Sequence, residues 1–414
     1  MKKSILSFLL FLTLFLSTGK TDWVVNACGL PYDSKLPCII VRDSMWYAAT
    51  DYGVFYSVYE NSHWMNGTPN ITDGVFNSVC FFGKYVIAGS EMGNIYISTV
   101  TDPPHFVKIT NNIPVNSPVN SITTCGNYIF AGRTKREVWV SQDTGKTWTN
   151  RTSNLPANQV GKVYLFANGN DVYAATDGAG IYKTTNYGVQ WIPVNTGLTS
   201  SNVRYICFHN SKMFAGTVGG GVFLLSDNGQ YWTQKNNGLG NLSVNAFAAL
   251  NNRLVAGTDN GVYVSANNGD SWYPRNAGLP ENPKALCFAI SSQLHVGLET
   301  LMSWSIEINE IVPVRSISDI LPDKYSLSQN FPNPFNPSTV IRFRIPENGF
   351  TTLKVFDLLG REISTLISEE MKAGSYETKF YAATQLPSGI YLYKIEVNSP
   401  ESRFTDTKKM TLLK

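Results

Sequence analysis

The stretch Ser141-Gln142-Asp143-Thr144-Gly145-Lys146-Thr147-Trp148 decides the fold. Its small polar residues and Gly145 make a hairpin turn, because glycine takes positive φ without a steric penalty. Trp148 then opens the next strand and supplies a large apolar surface to anchor it. The frame recurs at residues 184–191, 225–232 and 265–272, with Gly188, Gly229 and Gly269 three residues before Trp191, Trp232 and Trp272. Asp227 stands where Asp143 stands, and Asn186 and Asn267 replace it in the other two copies. The Trp-to-Trp spacings are 43, 41 and 40 residues. A period near 40 with several short strands per unit is the signature of a β-propeller.

A second repeated feature sets the number of units. A strand ending in Ala-Gly-Thr, or a close variant, precedes each hairpin. It is found at Ala48-Ala49-Thr50, Ala88-Gly89-Ser90, Ala131-Gly132-Arg133, Ala174-Ala175-Thr176, Ala215-Gly216-Thr217, Ala256-Gly257-Thr258 and, decayed, Val296-Gly297-Leu298. Small residues are what a crowded strand near a central axis requires. Each unit reads as four strands, at 203–208, 212–217, 221–225 and 231–234 in the fifth. In the first two units Trp64 and Phe106 hold the tryptophan place. The seventh lacks a fourth strand, and Trp23-Val24-Val25 has no unit of its own. The expectation is a seven-bladed ring closed by these N-terminal residues, which removes open sheet edges. The alternative is a six-bladed ring with an irregular first segment.

The hairpin resembles the Asp-box, S-x-D-x-G-x-x-W, of sialidase-like and related propellers. The resemblance implies that Asp143, Gly145, Trp148, Gly188, Trp191, Asp227, Gly229, Trp232, Gly269 and Trp272 are folding elements. It also implies that these turns sit on the face opposite the usual binding site.

Composition agrees with an all-β chain of more than one domain. Of 414 residues, aromatics make up 13% and charged residues only 15%. The net charge of +3 and the lack of a basic cluster interleaved with aromatics argue against nucleic-acid binding. Residues 1–19 read as a secretory signal peptide: Lys2 and Lys3, an apolar run over 5–16, then small residues. That run is too short to cross a membrane, and no transmembrane segment is expected elsewhere. Six cysteines in an exported chain permit disulfides. Cys28 and Cys38 are the one candidate pair, and the others read as buried thiols. No residue spacing points to a metal or a cofactor.

The propeller is expected to span 20–308, with a linker at 309–324. From 325 to 414 the composition changes. A Pro-Asn run, Asn330-Phe331-Pro332-Asn333-Pro334-Phe335-Asn336-Pro337, cannot be helix or central strand. Alternating strands follow, giving a small antiparallel β-sandwich of immunoglobulin-like kind. The run, the stretch from Lys354 to Glu362, Leu386-Pro387-Ser388-Gly389-Ile390-Tyr391 and the closing 408–414 occur in one order across one domain. Together they resemble the type A C-terminal sorting domain of the type IX secretion system of Bacteroidetes and their relatives. This implies export across the outer membrane, with the secretion machinery and its sorting peptidase as partners. The product is then released or surface-attached.

Function inside the propeller is less legible. Arg344-Ile345-Pro346 matches a sialidase motif but lies in the sandwich. The sharpest candidate is a set of carboxylates one residue after the small-residue triplets: Asp51, Glu91, Asp177, Asp259 and Glu299. In a four-stranded blade this turn lies beside the central channel. Five carboxylates around one mouth would bind a cation, a sugar or a basic segment of a partner. The reading is a non-catalytic glycan- or protein-binding module. The alternative is a glycoside hydrolase of sialidase-like or xyloglucanase-like type, which needs two carboxylates about 5–10 Å apart.

Overall fold

Short strands of alternating small and branched residues, cut every few positions by Gly, Asn and Asp, build the chain into consecutive antiparallel hairpins. The computed structural model describes residues 23–413 except 26–28, 32–33, 60–62, 115–116, 157–160, 251–252, 277, 300–302, 308–313, 319–320, 337 and 383–385. The signal-peptide reading, 1–19, lies outside the described residues, and so does Cys28.

Seven four-stranded sheets make up the N-terminal part. The first contains Cys38–Arg42, Met45–Thr50, Gly53–Ser57 and Met65–Asn66, paired in sequence order. The other first strands are Phe76–Phe82, Val119–Cys125, Val163–Asn168, Val203–His209, Val244–Leu250 and Ala285–Ile290. Each packs against the first strand of the next sheet, and Ala285–Ile290 packs back on Cys38–Arg42, so the sheets form a closed ring of blades. The seventh sheet draws its outer strand from the N-terminus: Val24 pairs with Ser305 and Val25 with Trp304.

The Ala-Gly-Thr triplet has a separate reason at each position. A Cβ on Gly132 would sit 2.7 Å from the Val163 carbonyl of the next blade, and one on Gly297 would sit 2.7 Å from the Leu36 carbonyl. Only a residue without a side chain lets the blades approach this closely. The threonine hydroxyl ties the following turn: Thr50, Thr176, Thr217 and Thr258 donate to the carbonyls of Gly53, Gly180, Gly221 and Gly261 at 2.8–2.9 Å.

The hairpin at Trp148 is held by its own side chains. Gly145 takes φ +85° and its amide donates to Ser141 Oγ at 2.8 Å. Asp143 accepts from the Thr147 amide at 2.8 Å and from the Thr147 hydroxyl at 2.6 Å. These bonds hold its carboxyl low, at about 2. Thr184–Asn186 and Ser265–Asn267 repeat the arrangement with amides. Blade five does not follow the expected frame. Leu225 fills the serine place and has no hydroxyl, so Ser226 accepts from the Gln230 and Tyr231 amides and donates to Asn228 Oδ1. The expected acid, Asp227, points out and pairs with Lys212 Nζ at 2.8 Å.

Trp148, Trp191, Trp232 and Trp272 are buried and pack between blades. Each removes roughly 200 Å² from water, a gross gain of roughly 5 kcal/mol before chain entropy. Their indole N–H groups donate to Ile109, Arg151, Val194 and Lys235 carbonyls of the preceding blade, all at 2.8 Å.

Cys38 is a free thiol, as are Cys80, Cys125, Cys207 and Cys287. Its expected partner, Cys28, lies outside the described residues; Cys38 itself lies on the first inner strand, where its Sγ donates to the Val79 carbonyl of blade two at 3.5 Å.

The C-terminal part is a sandwich of two four-stranded sheets around one core that includes Phe335, Phe343, Leu353, Tyr393 and Met410. The stretch read as a linker, 309–324, is not all linker. Val314–Ser318 is a strand that pairs with Gly374–Tyr381 at the edge of the sandwich. Sequence periodicity misses it because one edge strand carries too few residues to show a pattern. The Pro-Asn run is pinned by Tyr393, whose hydroxyl donates to the Ser328 carbonyl and accepts from the Asn330 amide, both at 2.8 Å.

Candidate functional site at the channel mouth

The register of each blade places the turns between second and third strands at the end where the first strands begin. The Trp hairpins follow third strands and so lie at the opposite end. Asp51, Glu91, Asp177, Asp259 and Glu299 all sit in or beside the first of these ends.

Five first strands carry a bulge near their start, at Phe76/Ser78, Val119/Ser121, Val203/Tyr205, Val244/Ala246 and Ala285/Cys287. A bulge leaves one residue out of the ladder and re-aims its side chain. The residues left out are Asn77, Asn120, Arg204, Asn245 and Leu286, and all five line an axial cavity of about 450 Å³. Residues from every blade contribute to its wall.

The five carboxylates do not stand as an unopposed acidic ring. Asp51 Oδ1 accepts from the Lys35 amide at 3.1 Å. Glu91 accepts from Asn77 Nδ2 at 2.7 Å, and the same amide reaches the Val119 carbonyl of the next blade at 3.2 Å. Asn245 repeats this, donating to Asp259 at 2.9 Å and to the Ala285 carbonyl at 3.1 Å. Carboxylate and amide together stitch one blade to the next. Lys284 bridges Glu299 at 3.1 Å and Asp259 at 3.9 Å, and Arg204 lies 3.9 Å from Asp259. Tyr164 stands on the cavity wall with Arg204, and burial pushes its hydroxyl up.

The amides and cations of this mouth escaped the sequence reading. A signal for them exists: Asn77, Asn120, Arg204 and Asn245 each stand twelve residues before Gly89, Gly132, Gly216 and Gly257. Mixed residue types at that position concealed it. Among the described residues no cluster of His, Cys, Asp and Glu could hold a metal ion, and no helix is long and apolar enough to cross a membrane.

Comparison with known proteins agrees with both halves of the architecture. Residues 148–294 match the DUF6242 beta propeller domain, and residues 329–410 match the Secretion system C-terminal sorting domain. No curated protein matches the chain. Among solved structures, YCF48 bound to D1 peptide is similar at 13% identity and TM-score 0.58, over 70% of this chain and 98% of that one. PorZ, described as a surface component of the type-IX secretion system of Porphyromonas gingivalis, is similar at 13% identity and TM-score 0.55, over 94% of this chain and 60% of that one. The extracellular domain of BT4673 from B. thetaiotaomicron is similar at 15% identity and TM-score 0.58, over 93% of this chain and 53% of that one. At such identities the likeness is one of fold. The chain thus carries a β-propeller that matches the DUF6242 domain over residues 148–294, followed by a secretion-system C-terminal sorting domain, which marks it as cargo of the type IX secretion system.

Proposed function

We propose that the chain is an exported binding protein whose propeller holds a glycan or a protein segment at the channel mouth without cleaving it. Residues 1–19 act as a signal peptide, and residues 325–414 then deliver the propeller to the cell surface or the medium. The observation that carries the reading is the axial cavity of about 450 Å³, into which amide, tyrosine and cationic side chains converge from different blades. Cavities of a few hundred Å³ with a few placed polar groups are where folded proteins hold ligands. Tyr164 and Tyr205 supply faces for stacking, and Asn77 and Asn120 keep their Oδ1 atoms free as acceptors. The carboxylates Asp51, Glu91, Asp177, Asp259 and Glu299 ring this mouth and orient its amides and cations.

The test is a glycan array and a peptide array probed with the purified chain, with mass spectrometry of whatever it retains. Retention without cleavage, lost on Arg204→Gln, is the expected result. Cleavage of the retained glycan would refute the non-catalytic reading, and retention unaffected by Arg204→Gln would move the site elsewhere.

A further inference from the structure

Ser78 lines the axial cavity, is 5% exposed, and its hydroxyl makes no hydrogen bond to the protein. The Ser78 oxygen itself is closed off from the cavity, so Ser78 supplies wall and no polar contact. The cavity wall carries two cations, Lys162 and Arg204, and none of the five mouth carboxylates. Lys162 is exposed and has no ion-pair partner among the described residues. Arg204 has one carboxylate, Asp259, at 3.9 Å, which is beyond hydrogen-bond contact and shared with Lys284. Glu91, Asp259 and Glu299 are each already engaged by a donor of the fold. Both charged side chains on the cavity wall itself are positive.

From these observations, and resting on the binding function proposed above, we infer that the cavity takes a sugar acid: a carboxylated sugar residue at the end of an extracellular glycan. Its carboxylate pairs with Arg204 and Lys162, planar guanidinium to planar carboxylate. Its hydroxyls donate to Asn77 Oδ1 and Asn120 Oδ1. Its ring face rests on Tyr164. A neutral sugar leaves both cations without a partner. A peptide carboxyl terminus satisfies the cations but brings no set of hydroxyls to the amide acceptors.

The test is calorimetric titration of the full chain with trisaccharides ending in glucuronate, galacturonate or mannuronate. Each is paired with its carboxyl-reduced counterpart, which keeps every ring hydroxyl and loses the charge. At least one acid is expected to bind about tenfold or more tighter than its reduced form, and to weaken as salt rises. Lys162→Gln and Arg204→Gln should each remove most of that preference. Lys162 has no partner to lose, so K162Q tests the idea with the fold intact even if R204Q disturbs Asn245. Equal binding of acid and reduced forms would overturn the sugar-acid inference and leave the channel-mouth function standing. Binding of a peptide carboxyl terminus with none of the sugars would overturn it in favour of a protein ligand. Binding of nothing would overturn the inference and the function together.

Discussion

The indole nitrogen of Trp23 donates to the carbonyl oxygen of Arg275 at 2.6 Å, across 252 residues of sequence. It is the same bond that Trp148, Trp191, Trp232 and Trp272 make to the blade before their own. Trp23 precedes no hairpin and no repeat, yet it fills the tryptophan place of the seventh blade, where it is 3% exposed in that blade's core. Val24 and Val25 then add the last strand. The two chain segments that close the ring are thus held by one buried side chain as well as by a ladder of two residue pairs.

Trp23 should therefore be worth far more than a terminal residue usually is. Trp23→Ala is expected to destabilise the propeller by about 3–5 kcal/mol through cavity formation and loss of closure. Trp23→Phe keeps most of the packing but removes the bond to the Arg275 carbonyl, a loss of about 1–2 kcal/mol. Denaturant unfolding followed by tryptophan fluorescence measures both. A Trp23→Phe chain as stable as the parent would mean that the hydrogen bond contributes nothing.

Asp143 gives the hairpin a pH dependence with a definite sign. Its folded carboxyl titrates at about 2 against an ordinary 3.8, because the Thr147 hydroxyl and amide bind the charged form. The unfolded chain takes up this proton first as pH falls. The contribution is whole above about pH 4 and is lost as pH falls toward 2. Asp143→Asn should flatten that part of the acid stability curve. Asp227→Asn should leave it unchanged, since Asp227 serves no turn and is largely exposed.

The amides at the channel mouth should matter to the ring itself. Asn245 is buried and joins Asp259 of its own blade to the Ala285 carbonyl of the next. Asn245→Ala removes both of these bonds and is expected to cost about 1–3 kcal/mol. Lys162→Gln, an exposed change with no partner to lose, should stay within about 0.5 kcal/mol. Thermal unfolding of the two variants beside the parent chain checks the contrast.

The cysteines should behave as buried thiols and not as bridges. Burial pushes Cys80 and Cys207 up to about 12, and it also raises Cys38 and Cys125. At pH 8 the native chain should react slowly with a thiol reagent. The chain unfolded without reductant should be labelled at Cys38, Cys80, Cys125, Cys207 and Cys287. Peptide mapping reads this out, and an unlabelled Cys38 would revive a disulfide.

Local chemistry made much of this protein legible in its sequence. A hairpin needs a glycine at one position and a tryptophan needs burial at another, so residues 141–148 and their copies announced strands, turns and period. The Ala-Gly pairs announced crowding, since Gly132 and Gly297 have room for nothing larger. The motifs from Asn330 to Lys414 announced the sorting domain, because their order along one chain carries information that no folding is needed to read. What only the tertiary structure decided is what faces what. The frame at Leu225 reads as an Asp-box in sequence, but Leu225 lacks the hydroxyl the turn needs, so Ser226 took the role and Asp227 was released to Lys212. The carboxylates at the mouth were visible as letters, while Arg204 beside them comes from a first strand whose bulge turns it out of the ladder toward the axis. A bulge depends on how two strands register, and the sign of the field at the mouth depends on how seven blades meet. Both are set by packing over distances that a linear pattern does not encode.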